Sequence, residues 1–227
     1  MRADEFIPAP LDEGIKTTLA AAGLSAAVAL GGHSLYKHLS HKPAENPQSA
    51  GTVVGATQER KAPTTLPEIL QYAAEDAGIK GSELAQLMAQ AAHETLNFTR
   101  LEEMGSATYF KRYDPKHNPR KAKILGNTKA GDGERYKGRG FLQITGRYNY
   151  ARAGKALGLP LEAKPELLAD PQVAAKAAVW FWQHRVQPKV DDFTDVEQST
   201  KPINPGLKGL ADRIAKFKHF HGLHGEK

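Results

Sequence analysis

Cysteine is absent from the 227 residues. Disulfide staples, structural thiolate zinc sites and thiol nucleophiles are excluded together. The compartment is not, because a domain with a sufficient core works outside the cell without disulfides. A long apolar run is also missing: Thr17 to Gly32 (TTLAAAGLSAAVALGG) has about sixteen residues where a comfortable spanning helix needs roughly 20. A phosphate-cradling loop is lacking as well, since GDGERYKGRG fits neither G-x-x-x-x-G-K-S/T nor G-x-G-x-x-G. No internal repeat is visible. What is present is the composition of a soluble globular protein, 40% hydrophobic and 25% charged, with room for one ordinary domain and a modest appendage.

The appendage is N-terminal. Residues 1–43 form an extension around the short apolar segment, and 44–64, rich in Pro, Gly, Ser, Thr and Gln, read as a linker. Asp4, Glu5, Asp12 and Glu13 outnumber Arg2 and Lys16 ahead of the apolar run, unlike a secretory n-region. His33, Lys37 and Lys42 follow it, which would keep the C-terminal side in the cytoplasm. Two readings of residues 17–32 stay open: a weak membrane, virion or export element, and a helix that packs on a partner.

The net charge of +6 is uneven. The stretch from Lys111 to Arg139 carries ten basic and three acidic residues. Such a surface concentrates polyanions, among them bacterial wall and nucleic acid, unless it is simply a solvated loop.

From Thr65 to residue 227 helical patterning dominates. Thr65-Leu66-Pro67-Glu68 has capping-box spacing, followed by Leu66, Ile69, Leu70, Ala73 and Ala77 before Gly78. Ser82 and Glu83 announce a second helix with Leu84, Leu87, Met88, Ala91 and Thr95 as its apolar stripe. A third begins near Tyr148. Asp170-Pro171 opens a fourth that runs to about His184. The last spans Leu207 to about Phe220, with Leu207, Leu210, Ile214 and Phe217 on one face. Only Phe141 to Thr145 looks strand-like.

Glu94 falls at the edge of the second helix's apolar face, near Leu87. Burial there favours the protonated carboxyl that a general acid needs; a boundary surface glutamate fits the same periodicity. Glu103 follows nine residues later, and Glu102 competes with it on spacing alone. Two carboxylates facing each other across a cleft are the machinery of glycoside hydrolysis. In YKGRGFLQITGRYNY, Gly138 and Gly140 permit close backbone approach, Gln143, Thr145 and Asn149 offer polar groups for sugars, and Tyr136 and Tyr148 offer rings for stacking. His219, His221 and His224 invite a metal reading, but helix-end charge complementarity accounts for them better. Of Trp180 and Trp182, at least one is expected in the core.

AQAAHETLNF, the following LEE, YKGRGFLQITGRYNY and INPGLKGLADRI, in that order, resemble glycoside hydrolase family 19: chitinases and related phage endolysins. The resemblance covers roughly 67–220. It implies a mainly α, two-lobed, lysozyme-like helical domain with at most a minor β element, no cofactor and no metal, and inversion at the anomeric carbon. It implies Glu94 as general acid, Glu103 rather than Glu102 as general base, and Thr145 as a holder of the attacking water. It implies substrate contacts at Tyr136, Gln143, Tyr148, Asn149 and Asn204, with His93 and Arg213 supporting the acid and the cleft. Three departures stand out. The disulfides of plant members are missing, Pro205 stands where the family has glycine, and Lys208 occupies the place of a glutamate that pairs with the late arginine. The partner expected is cell-wall glycan, peptidoglycan ahead of chitin, with the enzyme acting at the wall or periplasm and no nucleic acid involved. A non-catalytic wall-binding or virion structural protein is the alternative from another class.

Overall fold

The computed structural model describes residues 61–224; the readings made for the N-terminal extension and most of the linker lie outside the described residues. The described part is mainly helical. The principal helices are α1 (Leu66–Asp76), α2 (Gly81–Glu94), α3 (Ala107–Phe110), α4 (Pro119–Leu125), α5 (Asp132–Arg135), α6 (Arg147–Leu157), α7 (Pro171–Phe181), α8 (Val196–Thr200) and α9 (Leu210–His224), with short 3-10 or π turns between them.

Local chemistry sets the starts. The Thr65 hydroxyl accepts from Glu68 N–H at 3.4 Å, and the Glu68 carboxylate accepts from Thr65 N–H at 3.0 Å, which is the expected capping box. Hydrogen bonds from the Thr64 and Thr65 backbone hold the Glu68 carboxyl down at about 2. Asp170 caps α7 by accepting from Gln172 and Val173 N–H at 3.0 and 3.1 Å, ahead of Pro171. The α7 axis continues through a π turn, Trp182–Val186, which places Trp182 in the core with its indole N–H on Glu83 at 2.9 Å.

Helix α2 is the centre of the fold. Every residue from Leu84 to Ala92 is buried, including Gln86 and Gln90, so it is not the amphipathic surface helix that its stripe predicts. One flank packs on α1, which in turn packs on α7, in a core that includes Leu70, Leu87, Met88 and Ala174; the other, lined by Ala85 and Ala89, lets α9 approach with Phe217. A smaller core of Phe110, Tyr113 and Leu125 organises residues 106–137.

Two sequence expectations are corrected. Helix α9 begins at Leu210, not Leu207, because Leu207 adopts φ 51° in the preceding turn. Its inner face is set by Arg213 and Phe217, and Ile214 is 36% exposed, since an inward arginine displaces the apolar stripe. Phe141 to Thr145 is a tight turn, not a strand: Gly140 and Gln143 have φ 78° and 50°, so the chain reverses, and only isolated bridges join Arg139 to Glu102 and to Ile144.

Asp132 anchors the basic lobe. Its carboxylate accepts from Arg147 Nη2 at 2.6 Å and Nε at 3.0 Å, and from the backbone of Thr128 and Lys129. Burial alone would raise it, but the Arg147 hydrogen bond and the two amides prevail and hold it below its ordinary 3.8. The unfolded chain therefore takes up this proton first. The stabilisation is complete above about pH 4 and is lost as pH falls through the folded value. Asp132→Asn should thus cost stability at pH 7, and the difference should shrink as pH falls below about 4; equal melting temperatures at pH 7 would contradict this.

Candidate active site

The site is assembled from the end of α2, the segment after it, and the turn around Gly138. Past Glu94 the chain leaves the helix through three consecutive left-handed residues, Leu96, Asn97 and Phe98, at φ 51°, 57° and 59°. Thr95 supports this reversal: its hydroxyl donates to Ala91 C=O at 2.6 Å and accepts from Phe98 N–H at 2.9 Å. Phe98 packs edge-on against Phe141 and Phe220, which offsets backbone strain of roughly 1 kcal/mol per residue.

The reversal sends residues 101–103 back in extended form beside 138–140. Gly140 N–H donates to Leu101 C=O and Glu103 N–H to Gly138 C=O, both at 2.8 Å. Extended chain turns successive side chains to opposite faces. Glu102 consequently faces outward, 45% exposed, to Arg139 Nε at 2.9 Å and Lys137 Nζ at 3.2 Å. Glu103 faces inward and is 3% exposed. Tyr113 Oη donates to one of its oxygens at 3.1 Å and Gly138 N–H to the other at 2.8 Å.

Gly138 is the pinch point. A Cβ there would sit 2.8 Å from Gln143 Oε1, 3.0 Å from Glu103 Oε2 and 3.2 Å from Thr145 Oγ1, so three expected site residues converge on one α-carbon. Thr145 is held by donating to Gln143 C=O at 2.9 Å, and the Gln143 amide by donating to Gly140 C=O at 3.0 Å. Gly138→Ala should lower turnover by roughly 10- to 100-fold by displacing these side-chain ends. The fold should persist, so circular dichroism beside kcat checks it; a rate within twofold of wild type would count against the convergence.

Glu94 is the last residue of α2. Its side chain is 2% exposed, and Arg213, wholly buried, donates Nη2 to it at 2.5 Å. The surroundings of the carboxyl are therefore ionic, not the apolar wall that periodicity implied. Lacking a glutamate at position 208, Arg213 finds Glu94 itself, Gln90 and the Lys208 carbonyl. His93 Nδ1 lies 2.6 Å from Asp212, which also receives Lys216. Burial, then the Arg213 charge, depress His93 below 6.5 against the pull of Asp212. The neutral ring must carry its proton on Nδ1, because the carboxylate only accepts. Gly209, at φ 74°, lies flat on this ring: a Cβ would meet His93 Cε1 at 2.2 Å.

Asn149 and Asn204 are both buried. Asn149 donates to Thr145 C=O at 2.6 Å, while its Oδ1 and the Nδ2 of Asn204 have no partner among the described residues. Pro205 fits the backbone without conflict, at the second place of a turn closed by Leu207 N–H to Asn204 C=O at 2.9 Å. Tyr148 is half-buried with Arg152 over its ring. Tyr136 departs from expectation. It is 1% exposed, its hydroxyl donates to Glu162 C=O, and Arg147 covers its ring at 4.7 Å, so no face is free to stack on a sugar. Tyr136 instead lines a cavity of about 880 Å³ with Arg135, Arg147 and Glu162, which neither Glu94 nor Glu103 reaches.

Sequence reasoning missed Tyr113, Gln90, Asp212 and Arg139. Gln90 was legible as the residue one helical turn before Glu94; the others reach the site through tertiary contacts, with no local signal. Of the late histidines, His221 is hydrogen-bonded to Ser82 at 3.1 Å, and His219 and His224 flank Phe220.

The profile of the chitinase class I family, glycoside hydrolase family 19, matches residues 61–203. The chain belongs to this family. It is therefore a glycoside hydrolase, and its helical fold is the family's. A glycosyl hydrolase family 19 domain-containing protein of Haemophilus influenzae is 31% identical over 167 residues, 63% of this chain and 82% of that protein. An endochitinase of Arabidopsis thaliana is 38% identical over 125 residues, 55% of this chain but 39% of its own length. Among solved structures, chitinase C from Streptomyces griseus superposes with TM-score 0.53 at 25% identity, covering 69% of this chain and 82% of its own. A class IV chitinase from Zea mays shares the fold with TM-score 0.51 at 24% identity, covering 75% of this chain and 84% of its own.

Proposed function

We propose that this hydrolase cleaves a β-1,4-linked N-acetylhexosamine polymer by single displacement with inversion. Glu94 protonates the leaving oxygen, and Glu103 takes the proton of the attacking water, which Thr145 helps to hold. The convergence of Glu103, Gln143 and Thr145 on Gly138 carries the reading, because it gathers the proposed base, the proposed holder of the water and a sugar-binding amide around one α-carbon. Asn149 Oδ1 and Asn204 Nδ2 are a buried acceptor and a buried donor suited to the N–H and C=O of N-acetyl groups.

The substrate we favour is peptidoglycan. Lys111, Arg112, Lys116, Arg120, Lys123 and Lys129 are exposed on the lobe that supplies Tyr113 to Glu103, with no ion pair among the described residues. This concentrates positive charge beside the base, where an anionic wall polymer would run. In this reading the protein is a lysis enzyme or a virion-borne wall-degrading component acting at the bacterial wall or periplasm. Chitin is the second reading, favoured by the endochitinases of Arabidopsis among the relatives. Mass spectrometry of digests decides between them. Muropeptide fragments with inverted reducing ends, at rates that fall steeply with salt, are expected; activity confined to chitin oligomers would overturn the wall assignment.

A further inference from the structure

Arg213 is a long side chain with one carboxylate partner, and something must hold its guanidinium in one place. Gln90 lies on α2 one turn before Glu94 and is completely buried. Arg213 donates Nη1 to Gln90 Oε1 and Nη2 to Glu94 Oε1. The amide end of Gln90 donates to Thr200 Oγ1 at 3.0 Å, and the Thr200 hydroxyl donates to Val196 C=O at 2.6 Å. The Thr200 proton is therefore used, so Thr200 can only accept from Gln90. That fixes which end of the Gln90 amide faces Arg213: the oxygen, never the NH2, meets the guanidinium. The direction of each hydrogen bond in the chain follows from the one before. Thr200 also ends α8, and its carbonyl accepts from Ile203 and Asn204 N–H at 2.9 and 2.7 Å.

We propose that Gln90 is a positioning residue for catalysis: oriented by Thr200, it sets Arg213, which sets the carboxylate of Glu94 and ties it to the turn that carries Asn204. This rests on Glu94 being the general acid. A neutral amide in this place leaves Glu94 the only carboxylate on Arg213 among the described residues. The charged or titratable groups around Glu94 are His93 on its own helix and Arg213 and Asp212 from α9; Lys208 extends to solvent, and Glu197 of α8 pairs at the surface with Lys201, just past that helix.

Steady-state kinetics of the full chain on soluble N-acetylglucosamine oligomers and on purified peptidoglycan, across pH, test this. Gln90→Met and Thr200→Val should lower kcat by roughly 10- to 100-fold with KM within about twofold, and Thr200→Ser should restore it. Gln90→Glu adds a second carboxylate to Arg213, so it should move the alkaline limb of the kcat profile, which reports the acid, to higher pH. A purely structural Gln90 would lower stability and leave that limb in place. Wild-type kcat in folded Gln90→Met, or an unmoved limb in Gln90→Glu, overturns the proposal. If Gln90→Met does not fold, Thr200→Val against Thr200→Ser decides it. Full activity in Glu94→Gln instead removes the acid assignment, a separate failure.

Discussion

Glu94→Gln should reduce hydrolysis of wall glycan at least about 100-fold while the protein stays folded, since a positioned general acid contributes roughly 10²- to 10⁴-fold. The amide keeps the size of the side chain and can still accept from Arg213, so loss of rate reports loss of the transferable proton. Glu103→Gln should fall by a similar factor, through the water it no longer activates. Glu102→Gln is the internal control. Its carboxylate is 45% exposed and faces Arg139 and Lys137, and exposed ion pairs are worth at most about 1 kcal/mol. Its rate should stay within about threefold of wild type. Clearing of outer-membrane-stripped Gram-negative cells, or release of reducing ends from purified polymer, measures all three. A collapse in Glu102→Gln with an active Glu103→Gln would transfer the base to Glu102 and would contradict the alternation of the 101–103 segment.

Arg213→Met should be the most destabilising single change in the site. It strands a carboxylate whose side chain is 2% exposed and leaves Gln90 Oε1 without its donor. Removing one member of a buried pair costs about 3–5 kcal/mol, roughly 10 °C or more in melting temperature for a domain of this size. Combining it with Glu94→Leu should recover most of that loss, because an apolar pair needs no compensation there, while activity stays absent. The double-mutant cycle separates the two terms: additive losses would mean that Arg213 and Glu94 do not interact energetically. Destabilisation by Arg213→Met of under 1 kcal/mol would show that the carboxylate finds another partner.

Much of the fold could be read before any coordinates. The capping box at Thr65, the Asp170-Pro171 start of α7 and the buried positions Leu84, Leu87, Met88 and Ala91 are local matters of hydrogen bonding and helical period, and they stand where the sequence puts them. The ordered motifs placed the chain in its family for the same reason, since they carry residue identity as well as spacing. The period argument failed where a polar residue was drawn inward. Arg213 occupies the inner face of α9 and Ile214 its flank, because a buried charge partner on α2 outweighs the apolar stripe.

The candidate site divides along the same line. The sequence by itself determined which side chains are available, Glu94, Glu102, Glu103, Gln143 and Thr145, and that Gly138 stands among them. Only the tertiary structure decided what each one meets. The left-handed turn at 96–98 and the pairing of 101–103 with 138–140 send Glu103 inward to Tyr113 and Glu102 outward to Arg139, a one-residue choice that spacing cannot make. Tyr136, a plausible sugar platform by its type, is spent on the core. The partner of Arg213 is a neutral glutamine, selected by a hydroxyl more than a hundred residues away in the chain. Such choices depend on contacts between distant segments, which come into being only when the chain has folded.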